Sequence, residues 1–300
     1  MESQPKVESK EERAIRRRVA RAAKREKERS ASVVHAAKMH EVRLQDDLRK
    51  NESPPTRTSR FHVGCSGWFY WHLRGNFYPE DMPRADWFHH YATNFDTVEL
   101  NAPFYTWPTI ATVKTWIKQA EFSNNFIYTI KVSELITHVK KFDGTKDLVL
   151  DFGVIADILG SRFGCFLFQF PPSYTYTPER LTAIVNQLDP TRRNVVEFRH
   201  KSWWNEAVYR SFRELGIIFC SCSGPRLPEE LIKTADEIYI RFHGVSKWYR
   251  HDYSLDELKV WADRIHKSEA RQVWCYFNND HDGYAIKNAK QLLQLLKEFA

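Results

Sequence analysis

TVELNAPFY, Thr97 to Tyr105, is the stretch whose reading decides the fold. Apolar and β-branched residues flank a carboxylate and an amide, and Pro103 blocks further strand pairing. Side chains alternate across a strand, so Glu99 and Asn101 share one face while Val98 and Leu100 share the other. Two polar groups at the end of an apolar strand are costly to bury without partners, so other parts of the chain must supply them.

Outward from this stretch the pattern repeats. Strand-like runs occur at 61–67, 97–104, 126–132, 165–171, 194–200, 217–223, 237–244 and 272–280. Helix-like stretches lie at 85–94, 109–120, 147–160, 178–188, 202–216, 228–235, 254–267 and 283–299. Start signals include Thr177-Pro178-Glu179, Leu227-Pro228-Glu229 and the capping box Ser254-x-x-Glu257. Eight alternating units in residues 60–300 predict an α/β fold, a (β/α)8 TIM-type barrel. A doubly wound sheet is the rival, but no glycine-rich phosphate loop follows the first run.

Most strand ends carry a polar pair like Glu99/Asn101: Lys131/Ser133, Glu197/Arg199, Arg241/His243 and the triple Tyr276/Asn278/Asp280, with Gln169 closing the fourth run. The residues between them are mostly apolar. In a barrel the apolar set faces the helices and the polar set faces the interior, converging at the C-terminal mouth where active sites of this fold are built. The structural alternative is an internal network, with Glu99, Glu197 and Asp280 neutralising Lys131, Arg199 and Arg241. Loop aromatics follow the strands: Trp68, Tyr70, Trp71, Tyr105, Trp107, Trp203, Trp204, Trp248 and Tyr249, suited to stacking on sugars or bases or to packing between loops. His138 and His243 are the acid–base or metal-ligand candidates, alongside a structural role for either.

Residues 1–59 are different: a charged, low-complexity extension ending in the linker NESPPTRTS. Residues 1–60 hold 17 basic and 10 acidic side chains, which is the whole +7 excess of the chain and leaves residues 61–300 neutral. Bulk charge therefore gives the body no warrant for nucleic-acid binding. The segment AIRRRVARAAKREKER predicts a charged helix, or disorder, without an apolar stripe wide enough to pack, and so a solvated extension or a nucleic-acid-binding arm. The five cysteines (Cys65, Cys165, Cys220, Cys222 and Cys275) sit in strand-like runs without zinc spacing. They read as reduced core thiols of an intracellular protein, cytoplasmic or nuclear, with no signal peptide and no membrane span.

The segments VGCSGWFYWH, GNFYP, FDTVELNAPFYTWP, KVSELITH, LFQFPPSY, VVEFRHKSW, RFHG, YSLDELKVWA and YFNNDHDGYAIKNA stand in order along residues 61–300. With them the body closely resembles the YecE-like family, a domain of unknown function. The resemblance implies a TIM-type barrel similar to the endonuclease IV and sugar-isomerase group, and family-like positions at Glu99, Asn101, Lys131, His138, Gln169, Glu197, Arg199, Arg241, His243, Asn278, Asn279 and Asp280. One departure is Ser223, where the family pattern leads one to expect an aspartate.

Two functions are compatible with these residues. The first is a hydrolase or isomerase acting on an anionic sugar-phosphate or nucleic-acid-like ligand at the C-terminal mouth. Glu99 and Glu197 would serve as acid and base, or as ligands of a divalent metal with His138, His243 and Asp280. Lys131, Arg199 and Arg241 would hold the anion, and Asn101, Tyr105, Gln169, Trp203, Tyr249, Asn278 and Asn279 would complete the site. The second is a non-catalytic nucleic-acid binder using the loop aromatics and the basic arm.

Overall fold

A computed structural model describes residues 9–45 and 60–298. The chain begins with helix α1 (Lys10–Leu44). Eight parallel strands follow: β1 (Phe61–Cys65), β2 (Thr97–Leu100), β3 (Ile127–Lys131), β4 (Phe163–Gln169), β5 (Asn194–Glu197), β6 (Ile218–Ser223), β7 (Glu237–Phe242) and β8 (Gln272–Phe277). Between and after them run α2 (Trp87–Ala92), the short α3 (Ala102–Tyr105), α4 (Ile110–Gln119), α5 (Lys146–Leu159), α6 (Pro178–Gln187), α7 (Glu206–Leu215), α8 (Leu255–Lys267) and α9 (Tyr284–Lys297). The order β1-β8-β7-β6-β5-β4-β3-β2 makes a nearly closed (β/α)8 barrel, as the alternation predicts.

The seam between β1 and β2 is bridged by a side chain. The Tyr91 hydroxyl accepts the Cys65 N–H at 2.9 Å and donates to the Thr97 carbonyl at 3.0 Å. Here the strands come so close that a Cβ on Gly64 would lie 2.4 Å from the Thr97 oxygen, which excludes any larger residue without backbone movement.

Alternation along the strands sorts the core into two clusters. Val98, Leu100, Ile130, Phe168, Val196, Phe198, Ile240, Phe242 and Phe277 pack outward against the helices. Cys165, Leu167, Val195, Cys220, Cys222, Tyr239, Trp274 and Tyr276 fill the interior. All five cysteines are buried and free. At the N-terminal end of the barrel Glu237 accepts from Trp274 Nε1 at 2.8 Å and pairs with Arg193 at 2.8 Å and Arg271 at 3.5 Å.

Three expectations need correction. β2 ends at Leu100 rather than running to Phe104; Asn101 already has helical dihedrals and α3 follows, with Pro103 in its first turn. Residues 228–235 form no helix, despite Leu227-Pro228-Glu229. Their backbone is held by side chains instead: the Ile232 N–H donates to Ser221 Oγ at 2.9 Å, and Thr234 Oγ1 accepts the Phe219 N–H at 2.9 Å and donates to the Ile217 carbonyl at 2.6 Å. Finally, α1 does pack on the barrel. Ser32, Ala36 and Met39 form a narrow buried seam, and Trp107 N–H donates to Ser32 Oγ at 3.0 Å. Arg25 and Arg29 pair with the buried Glu134 at 2.6 and 3.1 Å, and Arg43 pairs with the buried Asp151 at 2.6 Å. The linker 46–59 lies outside the described residues. Among the described residues, no helix is long and apolar enough to cross a membrane.

Candidate functional site

Strand alternation carries Glu99, Glu197, Arg241 and His243 to the C-terminal end of the barrel interior, where all four are buried. Arg241 joins the two carboxylates. Its Nη2 donates to Glu99 Oε1 and its Nη1 to Glu197 Oε2, each at 2.6 Å. Glu99 also accepts from Ser66 Oγ at 2.7 Å and from Tyr239 OH at 2.6 Å. Arg199 Nε donates to the other Glu197 oxygen, and its Nη2 lies 3.0 Å from His243 Nε2.

These contacts decide the charge states. Burial pushes the Glu197 carboxyl upward, but Arg199, Arg241 and His243 together outweigh it and hold the group well below the usual carboxylate range. Burial pulls the Arg241 guanidinium down, and Glu197 and Glu99 reverse this and hold it well above its ordinary value. His243 is driven well below the usual imidazole range by burial and by Arg199 and Arg241. The ring is neutral, with Arg199 Nη2 at its Nε2 and the Asn278 amide nitrogen 3.4 Å from its Nδ1.

Lys131 and Asp280 stand outside this network. Neither forms an ion pair among the described residues, and both line a cavity of about 1250 Å³ at the C-terminal mouth. The Lys131 ammonium lies 3.9 Å from the centre of the Phe104 ring. Burial, then Arg241, lowers its pKa to about 7, with Arg199 acting in the same direction and Glu197 and Glu99 against it. Burial raises the Asp280 carboxyl. The internal network imagined from the sequence thus pairs two of its three cations with two of its three anions and leaves the third of each facing the cavity.

Asn101, Tyr105, Gln169, Arg199, Tyr249, Asn278 and the exposed Arg226 line the same space. Asn101 Nδ2 donates to the Ser66 carbonyl at 3.0 Å, leaving its buried Oδ1 without a partner among the described residues. Arg226 and Tyr249 carry positive φ angles of 67° and 68°, a strained conformation for such residues. The Tyr249 N–H is tied to the His243 carbonyl at 2.7 Å.

Other expected site residues lie elsewhere. Asn279 is buried against α9, donating to Asn288 Oδ1 and to the His251 carbonyl, each at 2.8 Å. Trp203 is fully buried, stacked 4.0 Å from Phe198. His138 sits on a π-helical turn (Leu135–Val139) beyond Phe104, where burial, Lys131 and Arg25 lower its pKa to about 4. Ser223 is held by Tyr253 at 2.7 Å and donates to Glu229 at 3.0 Å. Sequence reasoning missed Ser66 and Tyr239, yet Tyr239 stands two residues before Arg241 and the same alternation assigns it inward. Cys222 was read as core, and the fold brings its thiol within 4.8 Å of ligand atoms of Glu197 and His243. That trio has metal-binding chemistry, but both Glu197 oxygens already serve guanidinium groups.

With the barrel and its mouth described, comparison with known proteins places the chain. Residues 62–300 match the model described as "Protein of unknown function DUF72". The chain belongs to the DUF72 family. It is similar to the UPF0759 protein YunF of Bacillus subtilis (strain 168), 25% identical over 271 residues that cover 78% of this chain and 94% of that protein. A crystal structure of a DUF72 family protein from Thermotoga maritima MSB8 is similar at 28% identity and TM-score 0.71, covering 80% of this chain and all of that one. A DUF72 family protein from Enterococcus faecalis V583 shares the fold at 19% identity and TM-score 0.67, over 79% of this chain and 95% of that one. DUF72 membership fixes architecture and leaves the chemistry to the site.

Proposed function

We propose that this DUF72 protein, YecE-like in its motifs, binds an anionic, sugar-phosphate-like small molecule at the C-terminal mouth and acts on it as a hydrolase or isomerase. One observation carries this: Lys131 and Asp280 are an amine and an acid withheld from an otherwise paired buried network and turned to a ligand-sized cavity. A barrel core that served only stability would be filled more cheaply by apolar side chains. Arg199 and Arg226 add cationic donors suited to phosphate, and Asn101 adds an open amide oxygen suited to a sugar hydroxyl. Glu197, held as a carboxylate, is a poor proton acceptor and better serves to fix Arg199 and Arg241 in place. The five free thiols fit an intracellular setting.

The test is thermal unfolding of the full chain with ribose 5-phosphate against ribose. The phosphorylated sugar raises Tm by a few degrees, less so in high salt, and Lys131→Met abolishes the shift. Equal shifts with both sugars, or none with either, overturn the reading.

A second reading is favoured by a groove of about 690 Å³ where Arg21, Lys24 and Arg25 of α1 face the exposed ring of Tyr105, with Trp107 and Trp116 buried in its wall. Tyr105 lines both this groove and the mouth. Cations beside aromatic rings suit a single-stranded nucleic acid. Deleting residues 1–45 would then weaken oligonucleotide binding and spare the response to sugar phosphate.

A further inference from the structure

We propose that Lys131 is an imine-forming lysine, acting on an aldehyde or ketone that carries an anionic group. This rests on the anion-binding reading of the mouth and names its chemistry.

Three observations support it. Lys131 ends β3 and lines the mouth cavity, so a ligand bound there meets its amine directly. Its nitrogen has no carboxylate partner among the described residues; its near neighbour is the Phe104 ring face. The charges around it favour the neutral amine. Arg241 and Arg199 are paired with Glu197 and Glu99 in the buried network, Lys131 stands beside them unpaired with Asp280 lining the same cavity, and neighbouring His138 is itself held neutral. The two guanidiniums and two carboxylates already balance each other, so a proton on Lys131 adds a buried positive charge that only Asp280 in the same cavity could offset, and burial followed by Arg241 lowers its pKa to about 7. A desolvated amine beside other cations is the environment that makes a lysine nucleophilic near neutral pH. A lysine meant simply to hold a phosphate would keep its charge more securely beside a carboxylate.

The step balances without an outside reagent. The Nζ lone pair forms a bond to the carbonyl carbon, and one Nζ proton passes to the carbonyl oxygen to give a carbinolamine. That oxygen then leaves as water with the second Nζ proton, giving the imine. The substrate is drawn as an open-chain aldose or ketose phosphate, and the electron-withdrawing imine would ease proton removal at the adjacent carbon, the event an isomerase needs.

The probe is pyridoxal 5′-phosphate, an anionic aldehyde, added at one equivalent to the full chain and trapped with sodium borohydride. Peptide mapping then locates the modified lysine. Inorganic phosphate binding is followed in parallel by thermal shift. Lys131 is expected to react at least ~10-fold faster than any other lysine at pH 7, where ordinary lysines near pKa 10.4 are almost wholly protonated. Its labelling rate should rise through pH 7, and inorganic phosphate should suppress it. If phosphate stabilises the protein but Lys131 reacts no faster than surface lysines, the imine proposal fails and the anion site stands. If phosphate has no effect and labelling is unselective, both fail.

Discussion

Glu197 and Lys131 show how differently two buried ionisable residues are treated. Glu197→Gln removes one counter-ion from Arg199 and Arg241 and leaves fixed positive charge in the interior. It should cost about 3–5 kcal/mol in urea unfolding at pH 7. Loss of activity in that variant therefore reports on the fold as much as on chemistry. The folded-state pKa of Glu197 lies below the unfolded 4.5, so its stabilisation is complete above pH 4.5 and is lost as pH falls below it. The gap between wild type and Glu197→Gln should narrow through that window. Lys131 works in the opposite sense. Its folded pKa of about 7 lies below the unfolded 10.5, so the unfolded chain binds more protons between these values and stability rises with pH across the interval. Lys131→Met should therefore stabilise the protein at pH 7, by roughly 1–3 kcal/mol, with the advantage shrinking toward pH 10. A variant that destabilises at pH 7, with no pH trend, would show that Lys131 is a packing residue.

At the level of elements, strands were far more legible than their surroundings. A period of two assigns Glu99, Glu197, Arg241 and His243 inward without further information, because a strand has only two faces. The rule extends past the strand end as well: it places Asn279 with Phe277 on the outward face, and Asn279, a site position only through the family resemblance, does bond Asn288 on α9. It has no purchase where the chain is helical. His138 lies on a π-helical turn, and nothing in KVSELITH marks the extra residue that such a turn accommodates. Helix α1 was obscure for another reason. Its seam of Ser32, Ala36 and Met39 is small and discontinuous, and the ion pairs that seal it, Arg25 and Arg29 with Glu134 and Arg43 with Asp151, join residues about a hundred positions apart. Residues 9–24 of the helix are exposed, whereas burial begins at Arg25. Limited trypsin digestion should accordingly cut at Arg13–Lys24 well before Arg43. Met39→Asp, placing a charge in the seam, should make the whole helix equally sensitive while the barrel resists. Uniform cleavage along the wild-type helix would contradict the docking.

Over the whole molecule, the two ends of the barrel form an internal comparison. At the N-terminal end Glu237 is enclosed by Arg193, Arg271 and Trp274, and its charge is matched by neighbours. At the C-terminal end an equally buried network stops short of completion, with Lys131 and Asp280 turned to a cavity whose rim carries the strained residues Arg226 and Tyr249. One end reads as structure and the other as a site. The most direct test of that contrast is a crystal of the full chain soaked in tungstate, a heavy tetrahedral mimic of phosphate, and mapped by anomalous scattering. The account predicts a peak in the mouth within hydrogen-bond distance of Lys131 and Arg199. A peak confined to the basic face of α1, with the mouth empty of anion, would contradict it.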